Sequence, residues 1–328
     1  MQPPFNKIYA QSSAPHIHDS ETVAGIYWKW AFACAPLVIA AILAFRLEAL
    51  RTISVSVVSG LAIEWLTVWI FAGLSFLIRP KTDGDNSKNR LKKASLGLAS
   101  KQFQGANGST LYFSLILALL LPAGLPAWMI IAGNILAIGF FKELTGGIGS
   151  YPFQPAVAAV LLLGTIFPQR ILWEGLAINI LDWKTLLFNS HASLLGSASL
   201  LAAVIAGALL VLFKLIRIEL SLFYFLGAAV ISEGLNRNGW AVCFHPPIWT
   251  AAFFLITDYS SLPMTARGRK IFAFAAGALG VFLEVAAHQP AGIFAAIILV
   301  SACSPWFDAW TLPKGIRAAA KKNQERRV

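Results

Sequence analysis

Glu64 and Glu284 are carboxylic acids placed inside long apolar runs, "SVSVVSGLAIEWLTVWIFAGL" and "IFAFAAGALGVFLEVAAHQPAGIF". At the centre of a bilayer a charged side chain costs about 3 kcal/mol, more in some estimates, unless it finds a partner or water. Two kinds of chemistry justify such a cost. One is proton or sodium passage along an interior path; the other is a hydrogen bond that ties two helices together. A second chemical feature is the stretch "KELTGGIGSYPFQPAV", Lys142 to Val157, which crowds glycines, prolines, a lysine and a glutamate between two apolar runs. Its glycines admit positive φ and close backbone approach. Its prolines stop the flanking helices. Irregular backbone at membrane depth survives where it is buried in protein or lines a polar cavity. A re-entrant, site-forming loop and a plain tight turn are both open readings.

Other reactive residue types carry less. His191, His245 and His288 fall at loop or helix edges, whereas a transmembrane haem needs two histidines on facing helices. Interfacial hydrogen bonding suits them better. Cys34, Cys243 and Cys303 are far apart with no CxxC pair, so they support neither an iron–sulfur cluster nor a disulfide framework. No haem or iron–sulfur ligands and no metal site are evident.

The elements that must position these residues are transmembrane. Of the 328 residues 57% are hydrophobic and 12% charged, and the net charge is +11. Soluble domains carry about 25% charged residues. The run "LYFSLILALLLPAGLPAWMIIAGNILAIGFF" holds no charge at all, and about 20 such residues suffice for one crossing. Apolar runs bounded by charge, glycine or proline predict ten helices, at 27–46, 52–78, 111–122, 126–142, 153–168, 193–213, 218–234, 246–257, 270–287 and 289–305. With the N-terminus cytoplasmic, 21 of the 26 lysines and arginines fall on the cytoplasmic side, as the positive-inside rule requires. Residues 1–26 then form a cytoplasmic segment without the apolar core of a signal peptide, 27–305 one membrane domain, and 306–328 a basic cytoplasmic tail. The basic loop 79–110 suits anionic lipid. It has no aromatic platform for nucleic acid.

At two places the sequence resembles the RnfD/NqrB family, membrane subunits of the Rnf and sodium-translocating NADH:quinone oxidoreductase complexes. "KELTGGIGSYPFQPA" is similar to the family's "GGxGxNPFNPA" loop, with Gly146, Gly147, Gly149, Pro152, Phe153, Pro155 and Ala156 in matching positions. Tyr151 and Gln154 stand where the family has asparagine. "AAFFLITDYSSLPMTARGRKIFAF" resembles "GAFFIxTDPVTxxxTxRGRxIFG" through Thr257, Asp258, Thr265, Arg267, Gly268, Arg269, Ile271 and Phe272. Tyr259 replaces the family's proline.

The resemblance implies an all-α polytopic bundle, transporter-like, with internal repeats and discontinuous helices. It also implies a flavin-linked electron-transport system, other membrane or flavoprotein subunits as partners, and the matched glycines, prolines and polar residues of both motifs as cofactor-binding candidates. Members typically carry FMN on a threonine of an outer "SGAT" loop, and that pattern is absent here. "SHAS", Ser190 to Ser193, leaves Ser193 as a degenerate candidate. The departures make covalent FMN a poor expectation and leave noncovalent FMN or riboflavin open. A cofactor-free transporter or channel for a small molecule or ion on the same scaffold is the alternative, and flavin-poor relatives accompany enediyne biosynthesis. Lys142, Glu143, Asp258, Arg267 and Arg269 are expected to meet on the cytoplasmic side and form ion pairs between the two motif loops, since buried charges must be paired.

Overall fold

A computed structural model describes residues 21–77, 108–171, 194–235, 244–287 and 291–312. Every regular element among them is helical. In chain order they are α1 (Val23–Ala33), α2 (Ala35–Phe45), α3 (Leu47–Leu77), α4 (Ser109–Leu120), α5 (Ala127–Asn134) running into the π-helix π1 (Ile135–Glu143), and α6 (Pro155–Ile166). A 3-10 turn (Leu195–Ser197) then leads to α7 (Leu200–Leu212), α8 (Ile218–Gly234), α9 (Pro246–Thr250) with its π-helical extension π2 (Ala251–Leu255), α10 (Ala266–Ala287), α11 (Ala291–Ala302) and α12 (Ser304–Thr311).

Local chemistry sets the boundaries. Thr22 caps α1, its hydroxyl accepting from the Gly25 N–H at 3.1 Å. Arg46, at φ 52°, turns the chain into α3. Gly108 opens α4 at φ 73°, with the Trp28 ring 3.3 Å from where a Cβ would stand. Gln154 caps α6 through its side-chain oxygen, and Pro155 follows at the first turn, where its missing N–H costs nothing.

Length and hydropathy single out Val23–Phe45 and Leu47–Ile70 as able to cross a membrane, with α11 and α12 a further candidate bent by 48°. The remaining apolar helices are shorter. The polytopic, all-helical expectation holds, and discontinuous helices are present as expected. The expected helix 193–213 is a 3-10 turn followed by the shorter α7, while 246–257 is met by α9 running directly into π2. The physical reason is that interior helices of a bundle find polar partners for their ends in neighbouring helices, so they need not span.

Helix pairings recur between the two halves. In the first, α1 packs on α4, α3 on α5 and π1, and α6 on the same pair; in the second, α7 packs on α9, α8 on α10, and α11 on α10. Even the polar ties repeat: Ser56 Oγ of α3 donates to the Ser114 carbonyl of α4, and Ser221 Oγ of α8 to the Ala252 carbonyl of π2, both at 2.8 Å. Both halves thus tie packed helices together through a serine hydroxyl on a backbone carbonyl. The α8–α10 contact is backbone-close, because a Cβ on Gly227 would lie 2.1 Å from the Phe274 carbonyl oxygen and one on Gly277 2.0 Å from that of Tyr224. Small residues at such crossings are how helices associate where lipid supplies no hydrophobic drive. Leu43, Leu47, Val58 and Trp69 stay exposed around the outside, as a lipid-facing surface requires.

Candidate functional site

The two sequence motifs meet inside the bundle, each delivered by a π-helix. π1 ends at Glu143 and releases the chain into the glycine loop; π2 ends at Leu255 and releases it into the Thr257–Asp258 loop. A π turn inserts a residue and re-aims the side chains that follow, which is why such turns gather at functional sites. Gly146, Gly147 and Gly149 take φ of 112°, 84° and 85°, a region costly for any residue with a Cβ. The Gly147 and Gly146 N–H groups close the helix end by donating to the Lys142 and Glu143 carbonyls at 2.9 and 3.1 Å.

Lys142 is wholly buried, and its ammonium finds three oxygens. It donates to Glu64 Oε1 of α3 at 2.8 Å and to Thr110 Oγ1 of α4 at 2.6 Å, and it lies 3.3 Å from Glu143 Oε1. Glu64 is equally buried, and its Oε2 has no hydrogen-bond partner among the described residues. Two turns of α3 away, Asn134 Nδ2 donates to Ser56 Oγ and Ser59 Oγ at 3.0 Å, while Asn134 Oδ1 and Ser114 Oγ have no hydrogen-bond partner among the described residues. Gly60 keeps this seam open, since a Cβ there would stand 2.0 Å from Ser114 Oγ. The result is a line of polar groups between α3, α4, α5 and π1, from Asn134 to Lys142. Buried oxygens left unpaired are ordinarily served by water or an ion.

The motif loops join each other by hydrogen bonds. Tyr151 OH donates to Asp258 Oδ1 at 3.1 Å, and Ser260 Oγ to the Tyr151 carbonyl at 2.8 Å. Asp258 Oδ2 has no hydrogen-bond partner among the described residues, and burial pushes this carboxyl up to about 7. Burial also drives the Tyr151 phenol well above its ordinary value. Above them is a cavity of about 170 Å3, walled by Tyr27 and Trp30 of α1, Tyr112 of α4, and Tyr151, Asp258 and Tyr259. Ion pairing between the loops was the expectation, and it fails. Lys142 directs its charge to Glu64 and Glu143, while Arg267 points outward and neither it nor Arg269 forms an ion pair among the described residues. Asp258 is buried and accepts from the Tyr151 hydroxyl instead, whereas Arg267 is exposed.

The other expected residues divide by role. Pro155 and Gln154 start α6, with Pro152 exposed and Phe153 half-buried ahead of them. Thr257 is buried and donates back to the Phe253 carbonyl at 2.5 Å. Thr265 opens α10, accepting from the Gly268 N–H at 3.1 Å, while Asp308 of α12 takes the Thr265 and Met264 N–H groups at 3.0 Å. Glu284 is buried where α10 meets α11, and both its carboxyl oxygens lack hydrogen-bond partners among the described residues. His245 is half-buried at the N-terminal end of α9. Ser193, His191 and His288 lie outside the described residues. Sequence reasoning missed Thr110, Asn134, Tyr27 and Trp30. A threonine or asparagine in an apolar run was the available signal, and the aromatics carried none.

The cavity also tests the flavin expectation. Sites for small molecules and cofactors usually enclose about 300–1,000 Å3, so this one does not fit a flavin nucleotide, although its walls are aromatic. Among the described residues no group of three histidine, cysteine or acidic side chains is arranged to hold a metal.

Comparison with known proteins agrees with the motifs. The NQR2, RnfD, RnfE family model matches residues 10–75 and 94–317. The chain is 27% identical over 315 residues to the D-type subunit of the ion-translocating oxidoreductase complex of Methanosarcina acetivorans, covering 96% of this chain and 99% of that one. It is 23% identical to the D-type subunit of the proton-translocating ferredoxin:NAD(+) oxidoreductase complex of Clostridium ljungdahlii, covering 93% and 95% of the two chains. With the D-type subunit of the Na(+)-translocating ferredoxin:NAD(+) oxidoreductase complex of Acetobacterium woodii the identity is 25%, covering 92% of each.

Proposed function

This chain belongs to the NQR2, RnfD, RnfE family, and from that premise we propose that it is the D-type membrane subunit of a flavin-linked electron-transport complex that moves an ion across the membrane. The observation that carries the reading is the buried seam from Asn134 to Lys142, with Glu64 at its centre. Its relatives are named for translocating a proton or Na+. A carboxylate held by a lysine, with one oxygen free, is a place where a proton or small cation can pause between helices. Companion subunits carry the flavin in this reading, because the cavity in this bundle is too small for one. Both termini and the basic loop 79–110 face the cytoplasm, on the strength of the lysine and arginine distribution. Glu284, the buried carboxyl where α10 meets α11, serves ion movement at a second place in the bundle on the same reading.

The test is purification of the tagged chain from membranes of its native cell under mild detergent. Companion redox subunits are expected in the eluate, with flavin assayed before and after acid denaturation and ion uptake measured in proteoliposomes. Uptake driven by electron transfer and lost in Glu64→Gln supports the reading. A chain that elutes alone and flavin-free, yet moves a solute without any electron donor, refutes it in favour of the cofactor-free transporter.

A further inference from the structure

The cavity over Asp258 is distinct from the Lys142 seam and has a composition of its own. Five aromatic rings wall it, and they tilt against one another. Tyr27 and Tyr112 meet at 48° with centroids 6.1 Å apart, Trp30 and Tyr112 at 56° and 5.3 Å, and Trp30 and Tyr259 at 87° and 6.3 Å. No pair lies flat against its neighbour, so the rings enclose the space from several directions. The one acid in the wall is Asp258, 6% exposed, whose Oδ1 takes the Tyr151 hydroxyl and whose Oδ2 has no partner among the described residues. Val23, Gly149 and Tyr259 line the same cavity and are exposed, so it opens to the surface.

Aromatic faces around a carboxylate attract a positive charge, most strongly when the cation sits within about 6 Å of the ring centroids and out of water. The wall is mainly carbon, and its serine hydroxyl already donates to the Tyr151 carbonyl. Hard metal cations prefer about six or more oxygens, so the wall suits a cation clothed in carbon. A volume of about 170 Å3 corresponds to about six waters, which admits a methylated ammonium or short alkylamine and excludes a nucleotide. We propose that this cavity binds a small organic ammonium ion, its charge on Asp258 and its alkyl groups against Tyr27, Trp30, Tyr112 and Tyr259. The site is separate from the ion-translocating reading and stands or falls without it.

Binding tightens with rising pH through about 7, as Asp258 ionises. The groups facing it are the phenols of Tyr27 from α1, Tyr112 from α4, Tyr151 from the glycine loop and its neighbour Tyr259, all uncharged in that range. Farther out, Glu21 acts electrostatically on Tyr259 and is itself paired with Lys29.

Titration calorimetry on the detergent-purified full chain at pH 8, without partner subunits, tests this with tetramethylammonium chloride and methylammonium chloride against sodium chloride at equal ionic strength. Saturable heat with the ammonium salts alone is expected, weakened at least about tenfold in Asp258→Asn. Tryptophan fluorescence should change in parallel and lose that change in Trp30→Phe. Thermal unfolding checks that each variant is folded; where Asp258→Asn is not, Tyr259→Leu, at the half-open mouth, should weaken binding severalfold. An equal response to sodium chloride, or undiminished binding in the folded variants, overturns the proposal.

Discussion

Replacing Lys142 by methionine removes the only cation that meets Glu64 and Glu143 among the described residues. The attraction works out at about 6 kcal/mol for the 2.8 Å pair and about 5 kcal/mol for the 3.3 Å pair with an effective dielectric of ~20. Most of this offsets the cost of taking the ions out of water. The variant, however, keeps the desolvated carboxylates and loses their partner, a situation that costs about 3–5 kcal/mol. Thr110 also loses its hydrogen bond. Thermal unfolding in detergent at one scan rate should therefore show a drop of about 10 °C for Lys142→Met. A double-mutant cycle sharpens the test. Lys142→Met with Glu64→Gln should recover about 2 kcal/mol of the loss, because one of the stranded charges is gone. A single variant as stable as the parent, or additive losses in the cycle, would refute a buried ion cluster at this position.

Asp258 gives a pH dependence. Its carboxyl is raised by burial from 3.8 to about 7, so the folded state holds more protons than the unfolded one between those values. Stability then falls as pH rises from about 4 to 7 and levels above; chemical denaturation across that range should show the slope, and Asp258→Asn should flatten it. Gly277→Leu drives a side chain into the Tyr224 carbonyl and should abolish folded protein in size-exclusion profiles, whereas Gly234→Ala, with open space around it, should leave the profile unchanged. Thr265→Ala removes a helix cap and should cost about 1 kcal/mol in thermal unfolding. Glu284→Gln relieves a carboxyl without hydrogen-bond partners; its melting temperature should hold or rise while ion uptake by the reconstituted complex falls.

Much of this protein is legible without coordinates, because the bilayer imposes strong rules on composition. Apolar runs, the biased placement of lysine and arginine, and prolines and glycines at fixed spacing declare a helical bundle with two special loops. The glycines 146, 147 and 149 use the positive φ that their residue type permits, and α6 starts at Pro155 within two residues of the expected boundary. Glu64 announced itself as a buried acid by its surroundings. Its partner did not. Lys142 is 78 residues away, and a lysine at the edge of an apolar run reads equally well as an interfacial anchor. Only the packing of α3 against π1 brings the two within 2.8 Å, and it buries the adjacent Lys142 and Glu143 together at the end of π1.

The aromatic cavity was less legible still. Tyr27 and Trp30 belong to a helix that hydropathy treats as a plain span, and Tyr151 and Tyr259 occupy positions where the family's motifs carry asparagine and proline. Residue type could mark those departures without saying that they face one another. Contacts between residues more than a hundred positions apart, such as Tyr151 with Asp258, depend on how distant helices fold against each other. Local periodicity carries no information about that, so the tertiary structure alone decided which polar groups share an interior.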